Sequence, residues 1–431
     1  MAGLKKVSLI KIITLLTVTL LISGCWDRRE LEDQAFVQVM GIDKAPHNQI
    51  LVTFRIAIPS KAGLGQTAGG GGGGEGSVAA QSSLLTSVIA PTIPSAVTLA
   101  SGYVNRDLNL MHTKAIVLGE PFAREGIARL LGILTRHREL RGNVFMCVSE
   151  GEAYKLLEQN KPDLEKSFAK WWEGVKQLQS SQAIHPGSLL QDFITNAESL
   201  GIEGTMLYIA VNKEAKNQDP AKLKVPPSFE QAKLGVKSGE IPRTGGNAVE
   251  YVGTAVFKSD KLISVLTLTE TRSLLMLNGQ LRRAVITVED PMVKGRYTGL
   301  EIKQGSPPNV KVNIDRDPVL IEEKLSLEGD LLALQSAINY ATDLKNQRML
   351  EAAIEKDLEE GALSVIKKLQ QSGSDAVGYG DYASRRILTW PAWLDYDWPT
   401  KFKTAEVKVD VDFSIRRTGM LGKQPNVWEP R

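Results

Sequence analysis

The residue with the plainest chemistry in this 431-residue chain is Cys25. It follows Leu21-Ile22-Ser23-Gly24, and the chain holds only one other cysteine, Cys147. Lys5, Lys6 and Lys11 precede an uncharged apolar run, residues 12–22. A charged segment, a short apolar segment and a pair of small residues together make a secretory cleavage signal. The run is too short to span a bilayer, which takes about 20 apolar residues. Cys25 stands directly after the small pair, at the point of cleavage.

Other chemistry-bearing residues form no comparable pattern. His47, His112, His137 and His185 include no pair at metal-ligand spacing, and there is no HExxH motif or Cys/His cluster. No GxSxG elbow occurs. The acid pairs Glu322-Glu323 and Glu359-Glu360 are adjacent, so on a regular element their side chains diverge. Six glycines, 69–74, lack the lysine of a phosphate-binding loop, and residues 61–77 read as a flexible surface loop. Gly378-Tyr379-Gly380 is too short for a dinucleotide fingerprint. Trp390, Trp393 and Trp398 read equally as a binding platform or as a packing cluster. Cys147 sits in the apolar run 144–148, which reads as a buried strand. No catalytic residue, metal ligand or cofactor site is assigned, and a binding or assembly protein is favoured over an enzyme.

Cys25 and its leader look like a bacterial lipobox. Two acyl chains make a stable anchor, each buried CH₂ adding about 0.8 kcal/mol. The leader also accounts for the formal +3 charge. Three of the 52 basic residues lie in it, so 49 basic residues face 49 acidic ones in the mature part. A neutral body lacks the basic stripe that nucleic-acid binding requires.

The elements that must carry this body alternate between strand and helix. Strands are expected over 35–42 and 50–58 with a turn at 43–49, then a proline-broken helix over 84–104. A strand at 114–118, a helix at 125–137, a strand at 144–148 and a helix at 151–159 follow. Beyond a helical stretch to about 200 come strands at 206–211, 251–257 and 262–268, and a helix at 269–277 capped by Thr269 or Thr271. Strands at 284–288, 297–302, 310–314 and 319–325 precede a helix over 335–371. Its apolar face is Leu350, Ile354, Leu358, Ala362, Ile366 and Leu369. Residues 407–416 alternate apolar and polar, the mark of a strand with one buried face. The fold class expected is α/β, mixed α+β. A signal peptide, 1–24, is followed by three domains, each a mostly antiparallel or mixed sheet packed with helices. These are an N-terminal domain over 25–200, a small middle domain with a hairpin over 201–283, and a C-terminal domain over 284–431 with an antiparallel sheet.

Several short motifs carry a family resemblance. The mature start reads Cys25-Trp26-Asp27-Arg28-Arg29-Glu30-Leu31, with Gly41-Ile42-Asp43-Lys44 beyond it. The middle holds Gly253-Thr254-Ala255-Val256-Phe257, Asp260-Lys261-Leu262 and Glu270-Thr271-Arg272. The end holds Asp375-Ala376-Val377-Gly378-Tyr379-Gly380, Trp398, Phe402 and Ile415-Arg416-Arg417-Thr418-Gly419. In this order they resemble the Ger(x)C family of spore germination lipoproteins, the C subunits of germinant receptors. The resemblance implies a three-domain α/β protein, lipid-anchored through Cys25 to the outer face of the spore inner membrane. It further implies assembly with membrane-embedded A and B subunits, and it brings no catalytic residues. The 69–74 glycine run departs from the family pattern, as does Ser273, where a glycine is expected. The competing reading is a substrate-binding lipoprotein of an ATP-driven importer, which calls for two similar lobes.

Overall fold

The computed structural model describes residues 30–58, 83–165, 167–216, 219–223 and 235–418, with Lys11. Cys25, the rest of the leader and the glycine-rich loop 61–77 lie outside the described residues. Two mixed sheets with helices packed on them form the body, so the α/β class is observed.

The first sheet begins as a meander of β1 (Gln34–Lys44), β2 (Ile50–Ala57) and β3 (Ser83–Ala90). His47 and Asn48 both take positive φ in the β1–β2 turn, which suits the twist of paired strands. β3 occupies the first part of the expected helix 84–104. Pro91 ends the strand, and a separate helix, α1 (Ile93–Val104), starts behind the Thr92 cap. The apolar run 84–90 is short enough for either element, and pairing with β2 decides it.

Then come β4 (Asp107–Asn109), β5 (Ala115–Gly119), α2 (Glu120–Glu125), α3 (Ala128–Arg136), β6 (Phe145–Ser149) and α4 (Ala153–Gln159). The helix expected over 125–137 is α3, which starts three residues later because Gly126, with φ 126°, separates it from α2. Next are α5 (Phe168–Gln182), α6 (Leu190–Glu198), β7 (Thr205–Val211), β8 (Val249–Glu250), β9 (Thr254–Lys258) and β10 (Lys261–Leu266). The sheet runs β10-β9-β7-β6-β5-β1-β2-β3, with β1, β5, β6 and β7 parallel at its centre. Parallel strands covered by helices are buried on both faces, and β5 and β6 are apolar throughout apart from their terminal Gly119 and Ser149.

Residues 201–283, expected as a small middle domain, place β7 to β10 in this same sheet rather than in one of their own. β9 pairs with β7 (Leu207 opposite Thr254), and the 251–257 and 262–268 hairpin is its edge. α7 (Leu268–Leu277) closes the region, capped by Thr267 and not by Thr269 or Thr271. Thr267 and Glu270 form a reciprocal capping box, which needs a hydroxyl three residues ahead of a Glu.

The second sheet contains β11 (Ala284–Glu289), β12 (Tyr297–Gln304), β13 (Asn309–Asn313), β14 (Leu320–Leu334) and β15 (Glu406–Arg417). Between β14 and β15 lie α8 (Leu344–Ser372), α9 (Tyr379–Ser384), α10 (Trp390–Tyr396) and α11 (Trp398–Thr404). β12 and β13 follow one another along one edge of β14, and β15 takes the other. The sheet is therefore mixed and not antiparallel throughout: β15 runs parallel to β14. The helical crossover between them carries the chain from the far end of β14 back beside its start, where Leu320 faces Glu406, and so dictates parallel pairing. α8 starts later than the expected residue 335 because Asp343 caps it, taking the N–H groups of Lys345 (2.9 Å) and Asn346 (3.2 Å). Its predicted apolar face is observed, with Leu350, Ile354, Ala362, Ile366 and Leu369 buried. The two sheets differ in size and order, so they are not the similar lobes that an importer's binding protein calls for.

Among the described residues no strand pairs with the outer edge of β15, and α8 covers it. Glu351, Glu355 and Glu359 accept the N–H groups of Ile415 (2.8 Å), Phe413 (3.0 Å) and Val411 (3.1 Å). The spacing fits: four residues of helix advance about 6 Å, and two residues of strand about 6.7 Å. Replacing Glu355 by Ala orphans the middle N–H, and unfolding free energy should fall by about 1–3 kcal/mol. Glu360→Ala, on the exposed side of the same helix, should stay within about 0.5 kcal/mol. Denaturant unfolding of both variants checks the pair.

Candidate functional site

The motif residues 375–380 form a clasp between the two sheets. α8 ends at Gly373 in the left-handed conformation (φ 70°), which turns the chain inward. Ser374 then donates its hydroxyl to the Phe257 carbonyl of β9 (2.7 Å). Asp375 is buried, and its carboxylate accepts the N–H groups of Gly378 (2.9 Å) and Gly380 (2.8 Å) and the Trp398 indole N–H (2.9 Å). Its backbone carbonyl accepts from Glu203 N–H (2.9 Å), in the segment joining α6 to β7. Ser199, in that segment, donates to Asp381 (3.2 Å).

The glycines here are required by backbone contact. A Cβ on Gly380 would sit 2.6 Å from the Gly201 carbonyl and Cα, and Gly378 has φ 92°. Burial works against the Asp375 charge while the N–H donors hold it, leaving the carboxyl up at about 6. Glu323 on β14 lies beside it, accepting the Tyr379 hydroxyl (2.5 Å) through Oε2. Its Oε1 is buried with no partner among the described residues. Burial chiefly pushes this carboxyl up to about 7, so the protonated acid is well populated at neutral pH. Burial also pushes the Tyr379 hydroxyl well up, keeping it a donor.

The middle motifs meet the same seam, and the Gly41–Lys44 motif works within the first sheet. Thr254 and Thr271 share a fully buried hydroxyl hydrogen bond (2.8 Å). Glu270 pairs with Lys368 of α8 (2.8 Å), whose ammonium also donates to the Val265 carbonyl (2.9 Å). Gly253 has φ 109°, and a Cβ there would meet the Leu266 carbonyl at 2.6 Å. Asp43, from the Gly41-Ile42-Asp43-Lys44 motif, caps α4 by accepting Ala153 N–H (2.7 Å) and Tyr154 N–H (2.9 Å). Ser273, the departure from the family pattern, is buried on α7.

The remaining candidates separate. Trp393 and Trp398 are buried and stacked, whereas Trp390 is exposed, so the tryptophans make a packing pair and a surface residue. Cys147 is fully buried in β6, and burial pushes its thiol well up. His185 is buried between the Val175 and Pro186 carbonyls (2.9 Å each), His47 sits in the β1–β2 turn and His112 packs edge-on to Phe36. Among the described residues no cluster of His, Cys, Asp and Glu could hold a metal. Sequence reasoning missed Glu323, yet it interrupts the apolar series Val319, Ile321, Leu325, Leu327 on the buried face of β14, and that break was its signal.

Two family models match in order. One, described as "Spore germination protein N-terminal domain", covers residues 27–211. The other, "Spore germination B3/ GerAC like, C-terminal", covers residues 252–419. The chain belongs to this family of spore germination proteins. YfkR of Bacillus subtilis (strain 168) is 26% identical over 97% of this chain and 99% of its own. Spore germination protein KC of the same organism is 25% identical over 96% of each chain, and spore germination protein B3 is 23% identical over 94% and 96%. The GerBC protein crystal structure shares the fold, with a TM-score of 0.50 over 88% of this chain and 96% of that one at 18% identity. The seam joins the family's two matched segments: β9, from the C-terminal segment, hydrogen-bonds to β7 of the N-terminal segment.

Glu323 generates a pH test. Its folded value, about 7, lies above the ordinary 4.5, so the folded state binds more protons between those values. Stability from this group is full below about pH 4.5 and declines as pH rises through 7, by on the order of 3 kcal/mol. Glu323→Gln should flatten this part of the profile, read as the difference in melting temperature between variant and wild type from pH 5 to 8. Parallel profiles would refute the assignment. Gly380→Ala should cost about 1–3 kcal/mol by forcing the Gly201 backbone away, measured by thermal unfolding.

Proposed function

We propose that this protein is the lipoprotein subunit of a spore germinant receptor and is required for nutrient-triggered germination. Cys25 carries the lipid, and the body is held on the outer face of the spore inner membrane beside the membrane-embedded A and B subunits. The observation that carries the reading is the pair of germination-family matches spanning residues 27–419, directly behind a lipobox cysteine. The role is assembly rather than catalysis. The motif residues are used up inside the protein: Asp375, Thr254 and Glu270 all face partners within it.

No helix among the described residues is long and apolar enough to cross a membrane. Two acyl chains on Cys25 supply a stable attachment where one would be marginal.

Cys25→Ala should move the protein from the membrane fraction to the soluble fraction of spores and delay nutrient germination, measured by immunoblot of fractions and by loss of spore refractility. A variant that stays with the membrane would show that partner contacts suffice without lipid. Germination by every nutrient unchanged after deletion of the whole chain would overturn the receptor reading.

A further inference from the structure

A cleft of about 300 Å³ opens on the first sheet, away from the seam, where the amino ends of β5 and β6 meet α5. That volume is at the small end of the range for organic ligands. Three cations line it: Lys114 just before β5, Arg141 in the α3–β6 connection and Lys176 on α5. Glu173 is the one carboxylate in the lining, and it is taken by Lys114 at 2.8 Å. The side chains of Arg141 and Lys176 have no hydrogen-bond or ion-pair partner among the described residues. Two unbalanced cations thus face one concavity in a protein whose mature charge is zero. Such a cleft concentrates anions.

Its inner wall is aromatic. Phe145 and Trp172 are each 2% exposed and pack together, ring centres 6.3 Å apart. The Trp172 indole N–H is buried and has no acceptor among the described residues. Buried donors in native proteins are almost always satisfied, by the chain, by water or by a ligand.

We propose that this cleft binds a small organic anion with a flat apolar body and a phosphate or paired carboxylate head. The head group lies between Arg141 and Lys176, and the body lies against the edge of the Phe145 and Trp172 wall. Arginine supplies a forked donor for such a head and lysine a mobile point charge. This site is independent of the clasp and of the lipid anchor.

The test is calorimetric titration of the full-length lipidated protein in detergent, with phenyl phosphate, phthalate and inorganic phosphate as separate probes. Saturable binding of phenyl phosphate or phthalate, at least about 10-fold tighter than inorganic phosphate, is expected; which of the two binds identifies the head group. Arg141→Gln and Lys176→Gln should each weaken it by about 10-fold or more, and Glu173→Gln, which frees Lys114, should strengthen it. All three positions are exposed, so melting temperatures should match wild type; if Arg141→Gln proves unstable, Arg141→Lys must retain partial binding. No saturable binding of any probe at millimolar concentration, or binding unchanged in the Arg141→Gln/Lys176→Gln double variant, would overturn the proposal.

Discussion

The carboxylate of Asp375 is the interaction on which the arrangement of the two sheets turns. Its partners are N–H dipoles from Gly378, Gly380 and Trp398, drawn from the start of α9 and from the start of α11. Its own carbonyl reaches the α6–β7 segment of the first sheet through Glu203. A buried charge survives when enough donors replace its water, and bonds to a charged acceptor are worth about 1.5–3 kcal/mol each. The local sequence follows from this. A loop wrapped this closely round a carboxylate needs φ 92° at Gly378 and backbone contact at Gly380, so neither site tolerates a side chain.

The same region explains how the last strand is held. α8 lines the free edge of β15 with glutamates and then, at Gly373, delivers the chain to the clasp. An uncovered edge strand invites pairing with other chains. Here the cover and the clasp are consecutive in sequence, so they stand or fall together. Gln370 extends the link, since its amide donates to the carbonyls of Phe402 (3.0 Å) and Ala405 (2.9 Å) at the end of α11. The α8 cover, the α11 turn and the start of β15 form one hydrogen-bonded unit.

Much of the fold was legible where a local pattern carries the answer. Alternation at 407–415 and the 350–369 helical face report burial directly, because one face must leave water. Pairing direction is another matter: Val411, Phe413 and Ile415 would alternate equally in a parallel or an antiparallel ladder. Membership of a sheet is equally silent, since β9 finds β7 across an excursion of some forty residues, and nothing in 254–258 says which sheet it joins. The capping residue of α7 was misread by two or four positions because three threonines stand close together, and only Thr267 lies three before a Glu. In the clasp, the residues were visible as a motif while their work was not. An Asp in a Gly-rich loop gives no sign of the Trp that reaches it from residue 398. The glutamates at 351, 355 and 359 look like the wet face of a helix, and only the neighbouring strand edge gives them partners.

The clasp also bears on what a tether at the amino end could act upon. β1, the first strand among the described residues, is interior to the ten-stranded sheet, between β2 and β5. A pull on the chain ahead of Gln34 therefore acts on the middle of the sheet and not on a peelable edge. The family's C-terminal segment is bound into that same sheet by β9 and β10 and into the α6–β7 segment by Asp375. Force or displacement applied at the proposed anchor must pass through this seam to reach the second sheet. Glu323 and Asp375 sit at that passage, with carboxyls that burial has raised to about 7 and about 6. Burial disfavours the ionised form of Glu323 while the Tyr379 hydroxyl bond favours it, so ionisation costs stability through desolvation and leaves that hydrogen bond in place.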